Sequence, residues 1–184
     1  MAKVAIIGGS GVRDCPLLCD LEWKTIDTGY VERGFSFDES RQRKIVDYLE
    51  GDGVIFIPRH GHSVVYGPSQ TPYGANILAA NILGADRIIA TSAVGALKHW
   101  LFHVEDLVIP DDYIDETGRE GNFFGQGIVV HANPRPAFSL GLRELLLEVA
   151  REGKYFKSVQ NHGTYVAIPG DRFGTSEGRR RVQY

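Results

Sequence analysis

The chain of 184 residues has little of several features that mark particular classes of protein. Its two cysteines, Cys15 and Cys19, are too few for the disulfide framework of a small secreted domain. No apolar run approaches the roughly 20 residues that a transmembrane helix needs. A formal net charge of −3 gives no general basic field that would attract nucleic acid. We therefore expect free thiols, a cytoplasmic location, and neither a membrane nor a nucleic acid as a partner.

What the chain does contain is the alternation of short apolar runs that is typical of an α/β protein. Strands are predicted at 3–7, 24–28, 43–49, 54–58, 87–91, 106–110, 156–160 and 163–168, and helices at 72–84 and 139–152. Within the first helix, a packing face is expected at Ile77, Leu78, Ala80 and Ile82. The Gly-Asp-Gly turn at 51–53 predicts an antiparallel pairing of the strands on either side of it. Residues 115–135 are expected to form a long loop.

Three of the predicted strands end in residues suited to an anion. The strand at 3–7 runs into Gly8-Gly9-Ser10-Gly11, the strand at 54–58 into Arg59-His60, and the strand at 87–91 into Ser92-Ala93. A glycine-rich backbone, hydroxyl groups and free N–H groups bind oxyanions closely, and a guanidinium adds charge-assisted hydrogen bonds. If these ends meet, they predict a phosphate site.

Each segment also has a reading that needs no ligand. The glycines are consistent with a tight turn, Arg59 with an internal Arg–Asp bridge, and the small residues after Thr91 with a buried turn. A nucleotide-binding redox domain is a further alternative. It is disfavoured because Asp14 breaks the G-x-G-x-x-G spacing and no helix pattern follows directly.

Taken together, the motifs resemble those of the trimeric nucleoside phosphorylases, in the branch that includes 5′-methylthioadenosine and 6-oxopurine nucleoside phosphorylases. The matching segments are 6–11, 59–61, Pro68, 73–76, 91–97, 106–110 and 113–115. The resemblance runs from residue 1 to about Phe173 and leaves an unmatched tail at 174–184. It implies a single domain over 1–184, built as a mixed twisted β-sheet flanked by helices and lacking the C-terminal part of the family fold.

The resemblance also implies an activity and a set of site residues. The expected enzyme is a pentosyltransferase that uses orthophosphate to split a purine nucleoside into free purine and pentose 1-phosphate, without a metal or another cofactor. The implied phosphate ligands are Ser10, Arg59, His60, Ser92 and the backbone N–H of Ala93. Phe173 is expected to stack on the base, and His131 to enter the sugar pocket of a neighbouring subunit. A homotrimer or a dimer of trimers is expected.

The chain departs from the family pattern near its end. Pro169, Asp171 and Gly174 replace residues of a family motif around the base, and no residue matches the acid that assists departure of the base. A general acid contributes about 10²–10⁴-fold to such a reaction, so we expect weak or absent turnover from this chain alone. A gene truncated or frame-shifted near residue 174 is one hypothesis. The alternative function is a non-catalytic remnant that binds phosphate or forms oligomers.

Overall fold

The structure is a computed structural model that describes residues 2–31, 43–119, 121–124, 128–171 and 174–175. The chain divides into two compact units, Met1–Val94 and Gly95–Tyr184, and each is described by itself. None of the helices in these ranges is long and apolar enough to cross a bilayer. Cys15 and Cys19 carry free thiols, which confirms that expectation.

The first unit is built on a mixed five-stranded sheet. Its strands are β1 (Val4–Gly8), β2 (Lys24–Val31), β3 (Arg43–Gly51), β4 (Val54–Pro58) and β5 (Arg87–Ala90). They lie in the order β2-β3-β4-β1-β5. β1 is parallel to β4 and β5, whereas β3 is antiparallel to β2 and β4. The β3–β4 hairpin confirms the turn signal at 51–53, where Asp52 and Gly53 both have positive φ, as a tight two-residue hairpin turn requires.

The core of this unit forms where the sheet meets α2 (Tyr73–Ile82). Ile55 and Ile57 of β4 are fully buried against Ala75, Ala79 and Ala80 of the helix. Alanine side chains allow a helix to approach a sheet closely, so the bulkier strand residues fill the space between them. The expected packing face on this helix was therefore partly wrong. The small residues face the sheet, and the larger side chains are partly or largely exposed at Ile77, Leu78 and Ile82.

A single helical turn, α1 (Ser10–Arg13), follows β1 directly. A helix of four residues is too short to show apolar periodicity, and α1 was therefore not predicted. Packing of Val12 against the end of β1 positions this helical turn. A Cβ atom on Gly8 would lie 2.9 Å from the Val12 Cβ atom, so the missing side chain lets the turn pack against the end of β1.

The second unit contains two small parallel pairs and one helix. Its elements are β6 (Asp106–Val108), β7 (Asp112–Asp115), α3 (Leu140–Gly153), β8 (Ser158–Gln160) and β9 (Thr164–Ala167). β6 pairs with β8, and β7 pairs with β9. The Ser139 hydroxyl accepts a hydrogen bond from the Leu142 N–H and caps α3. No helix or strand interrupts the described residues between 116 and 135.

The strand β7 was not predicted from the sequence. Its four residues begin and end with aspartate, which is depleted in strands. β7 forms because its backbone pairs with β9 in register from Asp112↔Thr164 to Asp115↔Ala167.

Candidate functional site

The ends of three strands meet at one edge of the first unit's sheet. β1 lies between β4 and β5 and runs in the same direction as both, with Gly8 opposite Pro58 and Ile7 opposite Ala90. Two backbone hydrogen bonds continue the pairing beyond the strands. The Arg59 N–H donates to the Gly8 carbonyl at 2.8 Å, and the Thr91 N–H donates to the Ile7 carbonyl at 3.0 Å. The structure therefore brings the three predicted segments together.

Arg59 is the charged group at this edge. Its side chain is half-buried, its Nη1 atom donates to the Thr91 carbonyl at 2.5 Å, and its Nε atom donates to His60 Nε2 at 3.4 Å. No carboxylate pairs with Arg59 within the described residues, so the alternative of an internal Arg–Asp bridge is wrong there. Both contacts are to neutral acceptors. A half-buried cation without a counter-charge favours an anionic ligand.

An open pocket of about 50 Å³ lies beside this guanidinium. It is lined by Gly8, Gly9, Arg13, Pro58, Arg59, His60, Gly61 and Val64. This volume accommodates a few water molecules or a small oxyanion. A Cβ atom on Gly9 would lie 3.2 Å from Arg59 Nη2, so the absence of a side chain at Gly9 keeps that nitrogen accessible from the backbone.

His60 is held on its far side by two oxygen atoms. Its Nδ1 atom lies 3.1 Å from the Tyr66 carbonyl oxygen and 3.1 Å from Thr71 Oγ1. The Tyr66 N–H in turn donates to the His60 carbonyl at 3.1 Å, so the loop between these two residues closes on itself. Gly61, with a φ of +78°, makes that tight loop possible.

The other predicted site residues have different locations. Ser10 begins α1, but its side chain lies outside the described part of the structure. Ser92 and Ala93 are exposed after β5, and the Ser92 hydroxyl donates a long bond of 3.5 Å to the Ala93 carbonyl. His131 is exposed in the long loop of the second unit. Phe173 lies outside the described residues. The ligand roles of all these residues stay predictions.

Three polar residues near the site were not predicted from the sequence. Arg13 lines the pocket and donates to the His62 carbonyl at 3.2 Å. Thr71 and Asn76 are buried, and the Asn76 amide donates to the Arg59 carbonyl at 3.2 Å. The signal that could have found Asn76 is a polar side chain within a small and apolar stretch, because such a side chain needs a hydrogen-bond partner when buried.

The charged groups of the second unit form small hydrogen-bonded clusters. The His162 side chain and the Gly163 N–H both contact the Asp111 carboxylate, at 2.9 and 3.0 Å, and lower its pKa to about 2. The Ser158 hydroxyl donates to Asp106 at 2.6 Å and lowers the pKa of that carboxyl below its usual value. No group of three or more His, Cys, Asp or Glu residues in the described ranges could hold a metal ion.

Comparison with known proteins defines the class to which this fold and site belong. The family model of the phosphorylase superfamily matches residues 3–183. The chain therefore belongs to the phosphorylase superfamily. Its mixed sheet flanked by helices is that of a nucleoside phosphorylase, as the resemblance implied.

Within this superfamily, the chain is similar to S-methyl-5′-thioadenosine phosphorylases. The chain is 39% identical over 175 residues to S-methyl-5′-thioadenosine phosphorylase from Hyperthermus butylicus, and 38% identical over 186 residues to that from Pyrococcus horikoshii. These matches cover 95% and 100% of this chain, but 60% and 68% of the relatives. The chain thus spans about 60% of the first relative's length.

Solved structures agree with the sequence relatives. Methylthioadenosine phosphorylase from Schistosoma mansoni in complex with adenine superimposes with a TM-score of 0.80 at 28% identity, over 98% of this chain and 70% of that one. A methylthioadenosine phosphorylase from an Antarctic soil metagenomic library gives a TM-score of 0.80 at 32% identity, over 98% and 61%.

Proposed function

We propose that the chain carries the phosphate half of a purine nucleoside phosphorylase site, with 5′-methylthioadenosine as the first candidate substrate and 6-oxopurine nucleosides as the second. The observation that carries the proposal is the half-buried Arg59 guanidinium, which faces a small pocket and has no carboxylate partner in the described ranges. The names of the relatives support methylthioadenosine over the oxopurines.

In the proposed reaction, orthophosphate attacks the anomeric carbon of the nucleoside. The C–N bond to the purine breaks with its electron pair going to the base nitrogen, which takes up a proton, and a new C–O bond gives pentose 1-phosphate. The sugar becomes oxocarbenium-like as the base leaves. A phosphate held by Arg59 beneath it stabilises the developing positive charge by electrostatics and positioning. No cofactor beyond this co-substrate enters the proposal.

We propose the remaining ligands because the chain belongs to this superfamily. We assign Ser10, His60, Ser92 and the Ala93 N–H to phosphate, together with Arg59. We assign Phe173 to the base. His131 is proposed to reach a neighbouring subunit within a homotrimer. The exposed apolar side chains in the same loop support self-association, because large apolar patches on a surface are usually interfaces. They are Phe123, Phe124, Ile128, Val129 and Val130.

A second candidate function is phosphate binding without turnover. The observation that favours it is the pocket lining, in which the described part of the chain supplies no carboxylate that could protonate a departing base. A chain with Arg59 but no general acid would bind the co-substrate and release purine slowly.

One pair of measurements separates the two candidates. Purine release is measured with methylthioadenosine, inosine and guanosine, with and without phosphate, and thermal unfolding is followed across a phosphate titration with chloride at matched ionic strength as the control. Phosphate-dependent purine release supports the enzyme. Stabilisation without release supports the binding protein, and the absence of both results contradicts the proposed phosphate site.

A further inference from the structure

We propose that Arg13 is a second cationic ligand of the phosphate site, which joins Arg59 and gives the pocket a preference for doubly charged tetrahedral anions. The inference rests on the proposed function for the identity of the anion, and it adds one residue to that site. Arg13 lies two residues beyond the matching segment 6–11, so the resemblance assigns it no role.

The location of Arg13 follows from the packing of α1. Val12 lies against the end of β1, where a Cβ atom on Gly8 would be 2.9 Å from the Val12 Cβ atom. Arg13 is the last residue of this helical turn, and its side chain lines the pocket. The Arg13 Nη1 atom donates to the His62 carbonyl at 3.2 Å. The side chain is therefore held at the pocket by the loop that follows β4.

The other contacts of Arg13 leave it able to bind a ligand. Its Nε atom donates to Asp14 Oδ1 at 3.3 Å, but the Asp14 side chain is 71% exposed, and ion pairs in contact with water contribute little. Among the residues that the structure describes, the Arg13 Nη2 atom has no hydrogen-bond partner. The side chain thus retains a donor and a weakly compensated positive charge beside the pocket.

Two guanidinium groups line one small pocket, and the described part of the chain places no carboxylate in that lining. Two cations at one site repel each other unless an anion lies between them, and a half-buried charge gains most from a ligand of opposite sign. A phosphate group carries about 1.5 to 2 negative charges at neutral pH, which matches the pair, whereas a monoanion compensates only one of them. Arg13 together with Arg59 should therefore select anions by charge as well as by shape.

The experiment compares three tetrahedral anions in the full chain at one pH and at ionic strength matched with chloride. Isothermal titration measures the affinities for phosphate, for sulfate as a dianion, and for methanesulfonate as a monoanion of similar shape. The test variant is Arg13→Gln. Arg87→Gln is the matched control, because it makes the same change in net charge and Arg87 also donates to a backbone carbonyl, at the opposite end of β5.

We expect Arg13→Gln to weaken phosphate binding about 3- to 30-fold, the effect of one charge-assisted hydrogen bond reduced by partial exposure to water. The preference for sulfate over methanesulfonate should fall by at least about 3-fold. Arg87→Gln should retain both wild-type values. The proposal is overturned if Arg13→Gln keeps the wild-type phosphate affinity. It is also overturned if that variant weakens all three anions equally, as expected from a purely structural contact with His62.

Asp14→Asn provides a second test that does not depend on the folding of Arg13→Gln. Removing the carboxylate beside Arg13 Nε should tighten phosphate binding, because a negative charge near the pocket is lost while both cations stay. Unchanged or weaker binding in this variant overturns the proposal.

Purine release separates this proposal from the proposed function. Phosphate binding that depends on Arg13, without purine release from methylthioadenosine, supports the second ligand and contradicts phosphorolysis alone. Phosphate binding and purine release that are both independent of Arg13 overturn this proposal alone. A wild type that binds none of the three anions contradicts both.

Discussion

Arg59 Nη1 lies 2.5 Å from the carbonyl oxygen of Thr91, and this contact joins the ends of β4 and β5 across the strand between them. The side chain that is proposed to hold the ligand therefore also bridges two of the segments that form the site. Its guanidinium is a planar fork with several donors, so it can contact a carbonyl, an imidazole and an oxyanion at once.

Replacing this fork with a single ammonium tests its role. We expect Arg59→Lys to weaken phosphate binding at least about 10-fold, because a charge-assisted hydrogen bond contributes about 1.5–3 kcal/mol and lysine cannot satisfy all three directions. Isothermal titration with phosphate measures the effect. Arg87→Lys, at the opposite end of β5, is the matched control and should bind like the wild type. Equal affinity of the two variants would contradict the assignment.

The two glycines that flank Ser10 give a sharper pair of variants. A Cβ atom at Gly9 would lie 3.2 Å from Arg59 Nη2, whereas a Cβ atom at Gly11 would have nothing within 4 Å. We expect Gly9→Ala to reduce phosphate affinity by displacing the guanidinium, with little loss of thermal stability. Gly11→Ala should leave affinity unchanged. Similar affinities in both variants would show that Gly9 does not border the bound anion.

The close approach of α2 to the sheet predicts a stability effect. Ala79 is fully buried in the main core, so Ala79→Leu should lower the free energy of unfolding by about 1–3 kcal/mol through overpacking. Asn81→Leu adds a leucine to an exposed position of the same helix and should change stability little. Urea unfolding of both variants provides the comparison. An unchanged Ala79→Leu midpoint would mean that this helix is not tightly packed.

The Asp111 cluster predicts how the second unit responds to acid. The pKa of Asp111 is lowered to about 2 by its hydrogen bonds with His162 and Gly163. A carboxyl group whose pKa is lower in the folded state stabilises the fold above its unfolded pKa of about 4, and this contribution is lost as the pH falls towards 2. Asp111→Asn should therefore lose stability at pH 5 and show a smaller further loss between pH 4 and pH 2.

The control for this experiment is Asp112→Asn, one residue along the chain. Its carboxylate accepts only the N–H of Tyr113 among the contacts found in the described ranges. Urea midpoints measured from pH 5 to pH 2 should follow the wild-type curve in this variant. If Asp111→Asn follows the same curve, the Asp111 hydrogen bonds contribute nothing to acid stability.

The parts of the fold that the sequence predicted are those with strong local signals. Val54–Pro58 is a run of buried apolar residues after a hairpin turn, and Ser139 is a capping residue before a helix. β7 lacks such a signal because it begins and ends with aspartate, and α1 lacks one because four residues are too few to show a helical period. β7 forms through pairing with β9, which is distant in the sequence. α1 is positioned by packing of Val12 against the end of β1.

The candidate site, like the fold, was predictable only where the sequence carries a strong local signal. Arg59 stood out because a charge directly after an apolar strand needs a partner. Thr71 did not stand out, because its contact with His60 forms only after the ten residues between them, a loop and a 3-10 turn, fold back. Sequence patterns identify the residues that follow strand ends. The residues that contact and orient them are recognised only from the folded structure.

β5 has a neighbour on one side only, since it lies at the outer end of the described sheet, and Ile88 within it is exposed. The free side of such a strand offers a row of backbone donors and acceptors to any other extended polypeptide. Concentrated or warmed samples should therefore form intermolecular β-structure through an outer strand such as β5. A lysine in place of Ile88 would improve recovery during purification and lengthen storage life.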